Sequence, residues 1–199
     1  MTEKSLQQVV HGIVFGGGGK NHYVQELSGP FFDQLSRDLR DAGYEKALSE
    51  PVWKDELNQR ARPTAVFDPV SFSIIVGCFV GSAIGSWAIG KVCDELWGKF
   101  NGSFKTLKTN YKKRAAENKR LVPDEIKFNV DFHFRNDEIS VVVEGTAQNE
   151  SEIDSFESLL PKAVRQALAW IKDKGITSKV IRYNIKNGEL SEFPTLSDT

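Results

Sequence analysis

Several residue types and patterns that commonly indicate function are scarce or missing from this sequence. The 199 residues include two cysteines and three widely spaced histidines, too few for a disulfide framework or for metal-ligand spacing. The formal net charge of −1 lacks the basic excess typical of nucleic-acid-binding domains. The HExxH, GxSxG, CxxC and Rossmann glycine motifs are also missing. We therefore expect no metal or other cofactor, no nucleic-acid partner and no catalytic residue that a motif identifies.

Neither end of the chain carries a targeting signal. The apolar run over residues 9–15 is interrupted by His11 and Gly12, and it is too short for the hydrophobic region of a signal peptide. Residues 194–199 contain no lipidation motif. We therefore expect no export by a standard signal, and a reducing compartment in which the two cysteines stay free.

Charge is distributed unevenly along the chain. Residues 1–69 carry 8 Lys and Arg against 10 Asp and Glu, residues 91–120 carry 9 against 3, and residues 121–199 carry 9 against 14. Residues 70–90 carry no charge at all. This distribution predicts a mainly helical N-terminal region over 1–69, a hydrophobic helix plus a basic segment over 70–120, and a C-terminal α+β domain over 121–199.

The uncharged segment 70–90 is the most unusual part of the sequence. Its 21 residues comprise 13 apolar residues and 8 Gly or Ser, and its length is close to the ~20 residues that a helix needs to cross a bilayer. At helical spacing its small residues form two ridges. The first contains Ser73, Gly77, Gly81 and Gly85, and the second contains Cys78, Ser82, Ser86 and Gly90. Such a glycine zipper favours close helix packing. It predicts either a transmembrane helix that inserts or oligomerises, or a helix buried in a soluble core.

A basic segment follows the hydrophobic one. Its cations are Lys105, Lys108, Lys112, Lys113, Arg114, Lys119 and Arg120. Beside a membrane helix they would contact anionic lipid headgroups and keep their side in the cytoplasm. Without a membrane they would contact an acidic partner or lie on a solvated helix face. The predicted location is therefore membrane-associated and facing the cytoplasm, or cytoplasmic if 70–90 is a core helix.

The N-terminal region contains a glycine run after a short strand-like segment over 9–15. The run, residues 16–19, precedes Lys20, but the chain lacks the upstream glycine and the following Ser or Thr of a phosphate-binding loop. A hinge or a close approach of two backbones is the expected role. Helices are expected over 31–48 and 52–60.

The C-terminal region begins with two predicted strands. Apolar and polar residues alternate strictly over 126–134, which predicts a strand with one buried face and with His133 in solvent. A second strand is expected over 138–147.

A helix and a second pair of strands complete this region. A capping-box pattern predicts a helix over 151–175 with a break at Pro161. A strand over 179–186, the hairpin sequence at 187–188 and a last strand through Phe193 follow. The predicted order is ββαββ, an antiparallel sheet with one helix.

Three functions fit these features. The first is a non-enzymatic membrane-associated protein whose glycine-ridged helix inserts or oligomerises and whose C-terminal α+β domain binds a protein partner. The alternative is a fully soluble protein-binding inhibitor of the immunity type. The third is an enzyme of unrecognised class, since carboxylates scattered in sequence can still converge in space.

Overall fold

A computed structural model describes residues 10–49, 70–78, 87–117 and 122–198 of the chain. The strands are β1 (Val10–Gly18), β2 (Val70–Cys78), β3 (Ile126–Phe134), β4 (Ile139–Ala147), β5 (Val180–Lys186), β6 (Glu189–Leu190) and β7 (Thr195–Ser197). The main helices are α1 (Gly29–Asp41), α2 (Glu45–Ser49), α3 (Trp87–Glu117) and α4 (Glu150–Lys174). A helical turn at Asn21–Tyr23 and a π-helical turn at Val24–Ser28 precede α1, and a 3₁₀ turn at Arg135–Asp137 joins β3 to β4.

The five long strands lie in chain order across a single sheet, and β6 and β7 both pair with β5. The β1–β2 and β3–β4 pairs are antiparallel, whereas the β2–β3 and β4–β5 pairs are parallel. Parallel neighbours need a crossover connection, which α3 and α4 provide. The α+β class is confirmed, but the sheet is larger than the predicted C-terminal one, because β3 also pairs with β2. The prediction that the C-terminal sheet is antiparallel is wrong for β4 and β5, which are parallel because α4 is a crossover between them.

The prediction of one helix over residues 70–90 is wrong for its first nine residues. Val70–Cys78 forms strand β2, between β1 and β3. A strand buried on both faces carries a continuous apolar run, and over so short a length the pattern does not distinguish a strand from a helix. Residues 79–86 lie outside the described residues, and α3 begins at Trp87. Within the described parts of the chain, no helix is long and apolar enough to cross a membrane.

The N-terminal strand is confirmed and is longer than expected. The segment predicted over 9–15 extends into the glycine run. A Cβ atom at Gly17 would lie 2.6 Å from Oγ of Ser28, so glycine here allows the side chain of Ser28, and not a second backbone, to approach the strand closely. The predicted helix over 31–48 is divided into α1 and α2, and the one over 52–60 lies outside the described residues.

Aromatic rings fill the layer between the sheet and the helices. Phe72 of β2 and Phe128 of β3 are neighbours in register, and their ring centroids are 5.2 Å apart. Phe104 of α3 and Phe156 of α4 pack against Phe128, with centroid distances of 5.7 and 4.4 Å. Phe31 of α1 lies 5.0 Å from Phe72. This cluster places α1, α3 and α4 on the same face of the sheet.

The C-terminal strands follow the predicted pattern closely. β3 coincides with the strand predicted over 126–134, and β4 and β5 begin one residue later than expected. The last strand is shorter than predicted, because β6 ends at Leu190 and the chain pairs again only in β7.

Helix α4 begins earlier than predicted and has no break. Its N-cap is Asn149, whose side chain accepts a hydrogen bond of 3.1 Å from the backbone N–H of Glu152. Pro161 lies inside the helix, although a proline there removes one backbone hydrogen bond. Burial of the apolar side of α4, which includes Leu160 and Val164, compensates for that loss.

Candidate functional site

The described cations among those predicted to contact lipid or an acidic partner, from Lys105 to Arg114, lie along the second half of α3. Lys108 donates to carboxylates of Asp154 and Glu157 on α4, with distances of 2.7 and 2.6 Å. Lys112 pairs with Glu150 of α4 at 2.7 Å. The acidic residues of α4 therefore neutralise part of the basic segment within the chain itself.

The Lys108 ammonium is held in its charged form by this arrangement. Partial burial lowers its pKa, but hydrogen bonds to Asp154 and Glu157 and the charges of both carboxylates outweigh that effect, so the pKa is raised above 10.5. Lys108 thus links α3 to α4 through two ion pairs.

Arg114 is the most deeply buried of the described cations in this segment, with 5% of its surface exposed. Its guanidinium forms an ion pair with Glu26, and its Cζ lies 5.8 Å from the ring centroid of Tyr23. A cleft of about 280 Å³ opens beside this pair, between the π-helical turn and the end of α3. Its polar lining consists of Gln25, Glu26, Asn110, Lys113, Arg114 and Glu117.

The other cations of the segment have different positions. Lys105 and Lys113 are exposed on α3. Lys119 and Arg120 lie outside the described residues. Of the predicted contact set, the structure therefore brings Lys113 and Arg114 together at the cleft, and directs Lys108 and Lys112 to α4.

The predicted glycine ridges are not assembled on one helix. Ser73, Gly77 and Cys78 lie in β2, and Gly90 lies in the first turn of α3. The other four ridge residues, Gly81, Ser82, Gly85 and Ser86, are outside the described part of the chain. The helix-packing role assigned to Ser73 and Gly77 is therefore wrong, because both residues belong to a strand.

A second group of polar residues lies on the sheet face opposite the aromatic layer. Asp131, His133 and Ser140 are 6%, 4% and 2% exposed, so the prediction that His133 lies in solvent is wrong. His133 and Ser140 face each other across the β3–β4 pair, and Nδ1 of the imidazole lies 3.2 Å from the hydroxyl oxygen. The alternation identified the strand correctly, but it did not reveal that this face is also buried.

The residue types of this group match those of a hydrolytic triad. A nucleophilic serine must, however, be reached by the substrate carbonyl, and Ser140 is almost completely buried. Glu144, one of the scattered carboxylates, lies 3.2 Å from Nε of Arg182 on β5. Glu144 and Arg182 are partly exposed, whereas His133 and Ser140 form a buried hydrogen-bonded pair that links β3 to β4.

Both cysteines are free and buried. Burial, with a smaller contribution from the charge of Asp131, raises the pKa of Cys78 to about 12. Burial also raises the pKa of Cys93 well above its usual value, and the neighbouring Cys78 adds to this. Cys78 lies in β2 and Cys93 in α3, so the two thiols are on different elements. Among the described residues, no three His, Cys, Asp or Glu side chains converge to hold a metal ion.

The outer edge of the sheet exposes apolar side chains. Phe193 is 66% exposed and Leu196 39%, and Ile176, in the loop after α4, is 52% exposed. Phe193 and Leu196 belong to the segment that forms β6 and β7, whose only partner in the described sheet is β5. This exposure was not predicted, because a strand pattern in the sequence does not show whether its apolar side chains are covered.

The cleft was not predicted from the sequence either. Glu26 and Arg114 are far apart in sequence, and no local pattern connects them.

No protein-family model matches the chain, and neither the curated proteins nor the solved structures include a significant match to it.

Proposed function

We propose that the protein is a non-enzymatic binding protein whose C-terminal α+β part contacts a protein partner along the β6–β7 edge of the sheet. The observation that carries this proposal is the exposure of Phe193, Leu196 and Ile176, the large apolar side chains most accessible in the described residues. An inhibitor or immunity-type protein is one form that such a binding protein takes.

The edge offers two kinds of interaction. Among the described strands β7 pairs with β5, at the outer side of the sheet, a position where partner strands commonly add through backbone hydrogen bonds. Phe193 supplies an anchor beside it. Complete burial of this side chain would remove roughly 130 Å² of apolar surface and contribute about 3 kcal/mol.

Two observations favour binding over the other hypotheses. Burial of Ser140 argues against hydrolysis at the polar group on β3 and β4. The strand at Val70–Cys78 removes the start of the continuous helix on which the membrane-insertion hypothesis depended.

Site-specific photo-crosslinking tests the proposal. A photoreactive residue at position 193, in cells that make the protein, should give one discrete crosslinked product. The same residue at Lys172, an exposed position on α4, is the matched control. Excess unlabelled wild-type protein should suppress the product, and the Phe193→Ser variant should not.

The crosslinking result also distinguishes the kinds of partner. A product with the mass of two chains would identify the partner as a second copy of this protein. Equal labelling from positions 193 and 172, or suppression by the Phe193→Ser variant as strong as by wild type, would contradict the proposal.

A further inference from the structure

The cleft beside α3 contains a cation and an anion that differ strongly in exposure. The side chain of Arg114 is 6% exposed, and it is fixed by its packing against Tyr23. The side chain of its partner Glu26 is 52% exposed and extends from the short π-helical turn. The guanidinium is therefore held in place, whereas the carboxylate can move into solvent with little loss of packing.

Other hydrogen-bond donors surround the guanidinium. Lys113 adds a second positive charge at the cleft, and the amides of Asn110 and Gln25 add neutral donors. An arginine fork with several further donors suits an anion that has three accessible oxygens. A volume of about 280 Å³ exceeds that of one phosphate group, so the cleft has room for a small molecule that carries it.

We infer that this cleft binds the phosphate group of a small molecule, with Arg114 as the anchor and the Glu26 carboxylate as an intramolecular competitor. In the free protein Glu26 occupies the guanidinium. When the phosphate enters, it replaces the carboxylate as the partner of Arg114, and Lys113 provides the second charge.

Titration with inorganic phosphate at constant ionic strength tests this site. The Glu26→Gln variant should bind phosphate about fivefold more tightly than wild type, the factor that corresponds to an ion pair of ~1 kcal/mol. The Glu117→Gln variant removes the same charge from the cleft lining but leaves the Glu26 pair with Arg114 intact. Its affinity should stay within about twofold of wild type, because Glu117 does not occupy the guanidinium and would act on the anion only through a salt-screened charge.

Two further measurements locate the anion. The Lys113→Gln variant should weaken phosphate binding, whereas Lys105→Gln, an exposed position on the same helix outside the cleft lining, should not. Phosphate should shift the side-chain amide resonances of Asn110 and Gln25, and acetate should shift them less. Equal gains from Glu26→Gln and Glu117→Gln, no phosphate binding by Glu26→Gln, or acetate binding as tight as phosphate would each overturn the inference.

Discussion

A methyl group at Gly145 tests how α4 packs on the sheet. Gly145 lies in β4, in register with Phe128 of β3 and Ile185 of β5. A Cβ atom at this position would overlap the ring of Phe156 and lie 3.2 Å from the carbonyl oxygen of Ile185. The Phe156 ring has little freedom to move away, because it is stacked on Phe128 at 4.4 Å.

The expected magnitudes follow from this contact. In an unobstructed strand, alanine in place of glycine stabilises by about 0.5–1 kcal/mol. Overpacking of a filled core costs about 1–3 kcal/mol, so we expect Gly145→Ala to lower the free energy of unfolding by about 1–2 kcal/mol. Phe156→Ala alone empties a fully buried position and costs about 3–5 kcal/mol. In the double variant the new methyl group lies in the cavity, so its cost disappears.

Urea unfolding of wild type, the two single variants and the double variant measures this coupling, which we expect to be about 1–3 kcal/mol. Phe193→Ala is the matched control for loss of an aromatic ring. Because Phe193 is 66% exposed, its removal should change the free energy of unfolding by less than about 0.5 kcal/mol. Additive single effects, or stabilisation by Gly145→Ala alone, would refute the assigned packing of α4.

Buried and paired side chains elsewhere give three more tests. His133→Ala should lower the free energy of unfolding by about 1–3 kcal/mol, because the imidazole is buried and hydrogen-bonded to Ser140. An unchanged urea midpoint would contradict the burial of His133. The raised pKa of Lys108 means that its two ion pairs stabilise the fold fully below pH 10.5 and are lost as the pH rises through the folded-state pKa. Lys108→Met should therefore flatten the alkaline part of the stability profile, and an identical profile would contradict the pairing. Because burial raises the pKa of Cys78 and of Cys93, a thiol reagent should label them no faster than the protein unfolds; rapid labelling in native buffer would contradict their burial.

The parts of the fold that the sequence predicted well are those with local signals. Strands β3 and β4 and helix α4 each carry their own period of hydrophobic residues, and each is bounded by turn or capping residues. Asn187 and Gly188 likewise have the positive φ angles that a tight hairpin requires. Such signals depend on neighbours in the sequence and need no knowledge of the remaining chain.

Strand β2 was misread because its signal is not local. Residues 70–78 are rich in the β-branched and aromatic residues that favour strands, but the spacing of the small residues Ser73 and Gly77 also fits a helix. What decides the conformation is the parallel pairing with β3, whose residues lie beyond the whole length of α3. A parallel partner so distant leaves no mark on the sequence of the strand itself.

The candidate sites were predictable only in part. The basic character of 105–114 was evident, but the acidic partners of these cations lie on α4 and on the π-helical turn. Burial of Asp131 and His133 was hidden for a related reason, since alternation predicts which residues share a face and does not predict what that face contacts.

The position of the β3–β4 hairpin has a consequence for the folding pathway. Its strands are joined by the four residues Arg135 to Glu138, whereas the β1–β2 pair joins Val10 to Cys78. Closing a short loop costs less entropy and takes less time, so the hairpin can form before the other strands pair. Because β3 and β4 lie between β2 and β5, β2 can then pair with one edge of the hairpin and β5 with the other. Destabilising substitutions in the hairpin should therefore slow folding, while those in β1 should chiefly accelerate unfolding.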